Sequence, residues 1–96
     1  MEQQVGQLFM LSVGTDGLGE TTAQAIRDGH IGSVVLLGNS TAGQASISSL
    51  VSEVSLLAGA DLPILVAVDQ EGGQVQRLQG AGFSSIPNAQ EQGEMT

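Results

Sequence analysis

The chain has 96 residues, 41% hydrophobic and only 12% charged, which is room for one small domain over residues 1–96, because domains commonly run to roughly 100–200 residues. Ten acidic residues against Arg27 and Arg77 give a formal net charge of −8, which repels phosphate backbones and anionic headgroups, so neither nucleic acid nor a membrane surface is an expected partner. Without cysteine, and with His30 as the single histidine, the sequence offers no disulfide, no thiolate nucleophile and no Cys- or His-rich metal site, and no cofactor is called for.

The chain opens Met1-Glu2-Gln3-Gln4, without the basic start of a secretory signal, and as written it reads as cytoplasmic. A first strand is expected over the apolar run Leu8-Phe9-Met10-Leu11-Ser12-Val13. Thr21-Thr22-Ala23-Gln24 then has the spacing of a capping box and predicts a short helix that stops at Gly29. Val34-Val35-Leu36-Leu37 reads as the second strand. Thr41-Ala42-Gly43-Gln44 repeats the capping signal. Ile47, Leu50, Val51, Val54, Leu57 and Ala58 follow on one helical face, and Gly59 ends the helix. Pro63 precedes the third strand, Ile64 to Val68, a run far short of the ~20 residues that span a bilayer. From Asp69 to Ser85 the chain turns to Gly, Gln and Ser, with Val75, Leu78 and Phe83 as apolar anchors. Ile86-Pro87-Asn88-Ala89 is placed to open a further helix, with Ser85 as its cap and Pro87 in its first turn.

Strand, helix, strand, helix, strand makes two βαβ crossovers, so the fold class is α/β with a parallel sheet. The near-continuous apolar runs predict strands covered on both faces. Three such strands leave an apolar sheet edge without ladder partners, and self-association through that edge is expected.

In parallel α/β folds, ligands gather where loops leave the carboxyl ends of the strands. The first such loop, Gly14-Thr15-Asp16-Gly17-Leu18-Gly19, follows a strand and opens a helix, as a dinucleotide-binding turn does. Its spacing is wrong for G-x-G-x-x-G, and Asp16 and Glu20 put negative charge where a pyrophosphate must sit. A plain glycine turn is the simpler reading. The loop that follows the third strand, Asp69-Gln70-Glu71-Gly72-Gly73-Gln74-Val75-Gln76-Arg77, carries the main signal. Asp69 is the first residue off the strand, and a carboxylate there accepts two hydroxyl hydrogen bonds, as a sugar ring offers. Gly72 and Gly73 leave room for backbone to approach a ligand. If the strand continued, Asp69 and Glu71 would share a face with Cα atoms about 6–7 Å apart, as a carboxylate pair. The alternative divides the work, with Asp69 binding ligand and Glu71 paired to Arg77. His30 lies at a helix C-terminus, on the rim opposite these loops, where a cationic ring suits the helix dipole. Ser46, Ser48, Ser49, Ser52 and Ser55 form a solvated helix face without a basic partner, so no serine nucleophile is read there.

Four stretches together resemble the amino-terminal part of family 3 glycoside hydrolases, and within it the β-N-acetylhexosaminidases. They are Val5-Gly6-Gln7-Leu8-Phe9-Met10, Gly32-Ser33-Val34-Val35-Leu36-Leu37-Gly38-Asn39, Val66-Ala67-Val68-Asp69-Gln70-Glu71-Gly72-Gly73 and Gly82-Phe83-Ser84-Ser85-Ile86-Pro87. The specific part is D-Q-E-G-G directly after an apolar strand. The resemblance implies a TIM-type (β/α)8 barrel of which the first three strands are present, about 250 residues being needed for a whole one. It implies retaining hydrolysis of terminal N-acetylglucosamine in cell-wall or muropeptide sugars. Asp69 would hold hydroxyls of the sugar being cleaved, and Glu71, Gly72, Gly73 and Arg77 would support its loop. The family's aspartate nucleophile and histidine acid/base lie downstream of D-Q-E-G-G, so no catalytic residue is assigned in this chain. Gln74 departs from the pattern, because relatives often carry arginine there. A non-catalytic sugar-binding or assembly role, and the weaker nucleotide-binding reading, stay open beside the hydrolase.

Overall fold

The computed structural model describes residues 1–95. Helix α1 (Glu2–Gly6), strand β1 (Met10–Gly14), helix α2 (Glu20–Gly29), strand β2 (Ser33–Leu37), helix α3 (Gln44–Ala58) and strand β3 (Leu65–Val68) follow in turn. A small hairpin, β4 (Gln70–Gly72) and β5 (Val75–Gln76), and helix α4 (Ala89–Glu94) complete the order. The first three strands form one parallel sheet in the order β1-β2-β3, and β4 and β5 pair antiparallel apart from it. The α/β fold class with parallel β/α units is therefore the one observed, and it is consistent with the start of an incomplete (β/α)8 barrel.

Register and alternation decide which side chains make the core. Leu11, Val34 and Val66 stand in one row, and Val13, Leu36 and Val68 in the next. On this face Val13, Val34 and Leu36 are buried against Ile26 of α2 and Ile47, Leu50 and Val54 of α3, each burial contributing about 1.5–3 kcal/mol. The opposite rows are Met10, Ser33 and Leu65, then Ser12, Val35 and Ala67. That face lies open: Met10 is 51% and Leu65 64% exposed, and Leu37 at the end of β2 is 43% exposed. The expected covering on both faces thus holds on one only. The radius of gyration, 15.1 Å, exceeds the ~13 Å of a closed domain of this length, as an arc of barrel wall would.

Helix and strand ends depart from the sequence expectations for local reasons. Strand β1 starts at Met10, not Leu8, because the amides of Leu8 and Phe9 are taken by the carbonyls of Val5 and Gly6 in the turn that closes α1, a helix the apolar pattern did not signal. Helix α2 begins at Glu20 after Gly19, so Thr21 already lies inside its first turn, and α3 begins after Gly43; neither helix has a side-chain cap. The further helix starts at Ala89, capped by Asn88 rather than Ser85. Asn88 Oδ1 accepts from the Glu91 amide at 2.8 Å, and Glu91 Oε2 accepts from the Asn88 amide at 3.0 Å. Ile86 cannot join it, because its amide donates to Gln76 and its carbonyl accepts from Gly73. Among the described residues no helix is long and apolar enough to cross a membrane.

Candidate functional site

The three strands deliver Thr15, Asn39 and Asp69 to one rim, and hydrogen bonds tie these strand ends together in sequence. Thr15, nearly fully buried, donates through its amide to the Leu37 carbonyl at 3.0 Å and through Oγ1 to the Gly38 carbonyl at 3.1 Å. One residue on, Asn39 Oδ1 accepts from Arg77 Nη1 at 3.1 Å. Arg77 Nη2 in turn stands 3.9 Å from Asp69 Oδ2. Asp69 follows β3 directly, in phase with Leu65 and Ala67 of the open face, and its side chain is 53% exposed. Among the described residues, Arg77 is the charged partner its carboxylate has.

The loop beyond Asp69 is held by glutamines, a role the sequence reading did not assign. Gln70 clamps the Leu78 peptide from both sides: Nε2 donates to the Leu78 carbonyl at 2.8 Å, and Oε1 accepts from the Leu78 amide at 3.0 Å. Gln76, buried, donates to the carbonyls of Leu78 and Ser84 and accepts from the Ile86 amide. The Leu78 segment then bridges to Ser40, whose amide donates to the Arg77 carbonyl at 2.8 Å. A primary amide carries both donor and acceptor and so replaces a strand partner, but nothing in the spacing of Gln70, Gln74 and Gln76 tells the clamps from the exposed Gln74.

Two expectations for this loop are corrected. Arg77 pairs with Asp69 and Asn39, not with Glu71; Glu71 is exposed, and its carbonyl accepts from Gln92 Nε2 at 3.0 Å. The strand also does not continue through Asp69, since Gln70–Gly72 leave the parallel sheet to pair with β5, so the shared-face carboxylate geometry is not adopted. Gly72 and Gly73 sit at φ of +95° and +63°, and a Cβ on either would strike Pro87 or Asn88. The room they leave is taken by the chain's own 86–88 segment rather than left for a ligand.

The other rim holds His30, in the left-handed region at φ 54° as the cap of α2, its carbonyl accepting from Gln7 Nε2 at 2.7 Å. The α2 end of the first loop has Gly19 as cap and Glu20 in its first turn, so an acid of the chain already occupies the positive helix end. The five serines of α3 are exposed. No cluster of three potential metal ligands occurs among the described residues.

With this geometry in place, the likenesses to known proteins are specific. A family model described as the glycosyl hydrolase family 3 N-terminal domain matches residues 1–95. The β-hexosaminidase of Bordetella avium is 33% identical over 86 residues, covering 90% of this chain and 24% of that protein. The β-hexosaminidase of Tolumonas auensis is 37% identical over 79 residues, covering 82% and 23%. The solved β-N-acetylhexosaminidase of Beutenbergia cavernae superposes with a TM-score of 0.91 at 42% identity, over 98% of this chain and 29% of its own. A family 3 β-N-acetylglucosaminidase from a Paenibacillus species gives a TM-score of 0.80 at 29% identity, over 92% and 17%. The chain thus spans about a quarter of the length of the curated relatives it matches.

Proposed function

Because the chain belongs to glycosyl hydrolase family 3, we propose that it supplies the first three β/α units of a retaining β-N-acetylhexosaminidase site, acting on terminal N-acetylglucosamine of cell-wall or muropeptide sugars. In this reading Asp69 accepts hydrogen bonds from hydroxyls of the bound sugar, and Arg77, Glu71, Gly72 and Gly73 shape the loop around it. The aspartate nucleophile and the histidine acid/base come from β/α units outside these 96 residues. The observation that carries the reading is Asp69 itself, a half-exposed carboxylate at the carboxyl end of β3, one oxygen facing Arg77. An ionised carboxylate with free lone pairs suits hydroxyl donors, whose hydrogen bonds to a charged group contribute more than neutral ones.

The test is hydrolysis of 4-nitrophenyl N-acetyl-β-glucosaminide. The 96-residue chain alone should release no nitrophenol. Completed with the remaining β/α units of a family 3 β-hexosaminidase, it should, and Asp69→Asn should then lower kcat/KM roughly 10- to 100-fold. Unchanged kcat/KM would remove Asp69 from the site. The open face of the sheet favours a second reading, in which the chain assembles with further β/α units or with itself, and sugar turnover is not its own.

A further inference from the structure

We propose that Asn39 is a positioning residue for the sugar site: it fixes the Arg77 guanidinium and so holds a positive charge at one place beside the Asp69 carboxylate. This rests on the sugar-binding reading of Asp69 and adds a residue from a different strand. The 3.9 Å separation of Arg77 Nη2 and Asp69 Oδ2 is an ion pair, too long for a hydrogen bond, and exerts little directional control. Among the described residues Arg77 Nε is buried without a partner, so it does not orient the group either. The directional contact is the 3.1 Å hydrogen bond from Nη1 to Asn39 Oδ1.

Asn39 is suited to anchor because the backbone on both sides of it is held. The Gly38 carbonyl accepts from buried Thr15, and the Ser40 amide and carbonyl are engaged by the Arg77 carbonyl and the Gln79 amide. An exposed asparagine so bracketed cannot drift with its loop. The positive charge beside the carboxylate is therefore placed from β1 and β2, through Thr15, Asn39 and Arg77 in turn.

The experiment uses the 96-residue chain with arginine-selective nitrogen labelling. Rotation of the Arg77 guanidinium is followed by NMR, and affinity for N-acetylglucosamine is measured by titration. Asn39→Ala should speed that rotation roughly tenfold or more, the effect of one lost charge-assisted hydrogen bond, and should weaken sugar binding roughly threefold or more, because the guanidinium must then be ordered when the sugar binds. Asn39→Asp, which keeps an acceptor oxygen on the same stem, should restore slow rotation. In an Asp69→Asn background, Asn39→Ala should cause no further loss of affinity. Unchanged rotation in Asn39→Ala overturns the proposal, as does a loss of affinity that persists undiminished in the Asp69→Asn background. If Asp69→Asn leaves affinity unaltered, the sugar reading falls, and guanidinium rotation alone decides whether Asn39 positions Arg77.

Discussion

Arg77 and Asp69 are joined through both backbone and side chain: the Arg77 amide donates to the Asp69 carbonyl at 3.4 Å, while the guanidinium stands 3.9 Å from the carboxylate. The backbone link does not depend on the Arg77 side chain, so side-chain effects can be isolated. Arg77→Lys keeps the aliphatic stem and a charge but replaces the unpartnered buried Nε–H by a methylene. The partly exposed ion pair and the exposed hydrogen bond to Asn39 contribute no more than about 1 kcal/mol each, and an unsatisfied buried donor costs about 1–3 kcal/mol. The losses and the gain oppose, so urea unfolding should show Arg77→Lys within about 1 kcal/mol of the parent. The ammonium cannot reach both Asn39 and Asp69 in a planar fork, so N-acetylglucosamine affinity should still fall. A loss of several kcal/mol in stability would show that the guanidinium has a buried partner in solution.

Gln76→Met tests the amide scaffold of the same loop. The volume is kept, but the Ser84 carbonyl and the Ile86 amide lose their 2.9 Å partners, and each such part-buried hydrogen bond contributes about 0.5–1.5 kcal/mol. A total of roughly 1–3 kcal/mol is expected. Hydrogen exchange should locate it, with the Ile86 amide losing protection while Val34 and Leu36 in the central strand keep theirs. Equal loss in both places would mean that the loop and the sheet unfold together.

What the sequence made legible follows from how local each signal is. The rows of Val34, Leu36, Val13 and Val66 were readable because apolar runs between helical patterns admit few other arrangements. The face those helices leave open was not, since Met10, Leu37 and Leu65 look as core-like in sequence as their buried neighbours. The place of Asp69 at the end of the third strand was readable from the apolar run before it. Its bond to Arg77 was not, because Glu71 is as near in sequence and only the departure of β4 from the parallel sheet separates the two. Helix starts were misread for a related reason: Thr21 and Thr41 have capping spacing, but Gly19 and Gly43 already turn the chain.

Two glycines at opposite ends of the constraint scale give a third test. At Gly72 an added methyl meets the Pro87 carbonyl and the backbone has φ +95°, so Gly72→Ala must both strain the turn and push away the 86–88 segment. A loss of about 2 kcal/mol or more is expected. Gly93, within α4, has nothing among the described residues near its missing Cβ, and Gly93→Ala should stabilise that helix by about 1 kcal/mol. Circular dichroism and thermal melts check both, and an unchanged melt for Gly72→Ala would contradict the close packing of the hairpin on Pro87.

The open face of the sheet makes the last prediction. Met10 and Leu65 lie in one cross-strand row on the two edge strands, with Ser33 between them, and both are more than half exposed. Apolar surface beside edge strands with unpaired backbone groups drives association, so sedimentation velocity should show mass rising with protein concentration. Met10→Lys with Leu65→Lys puts charge into that face without touching Val34, Leu36 or Ile26, which pack on the other side. The pair should shift the distribution toward monomer while the unfolding midpoint changes little. If the double variant associates as strongly as the parent, the contact lies elsewhere, and the exposed Val5 of α1 and Phe9 just after it become the surface to alter. If it loses its unfolding transition, the row is part of a core in solution and the face is not open.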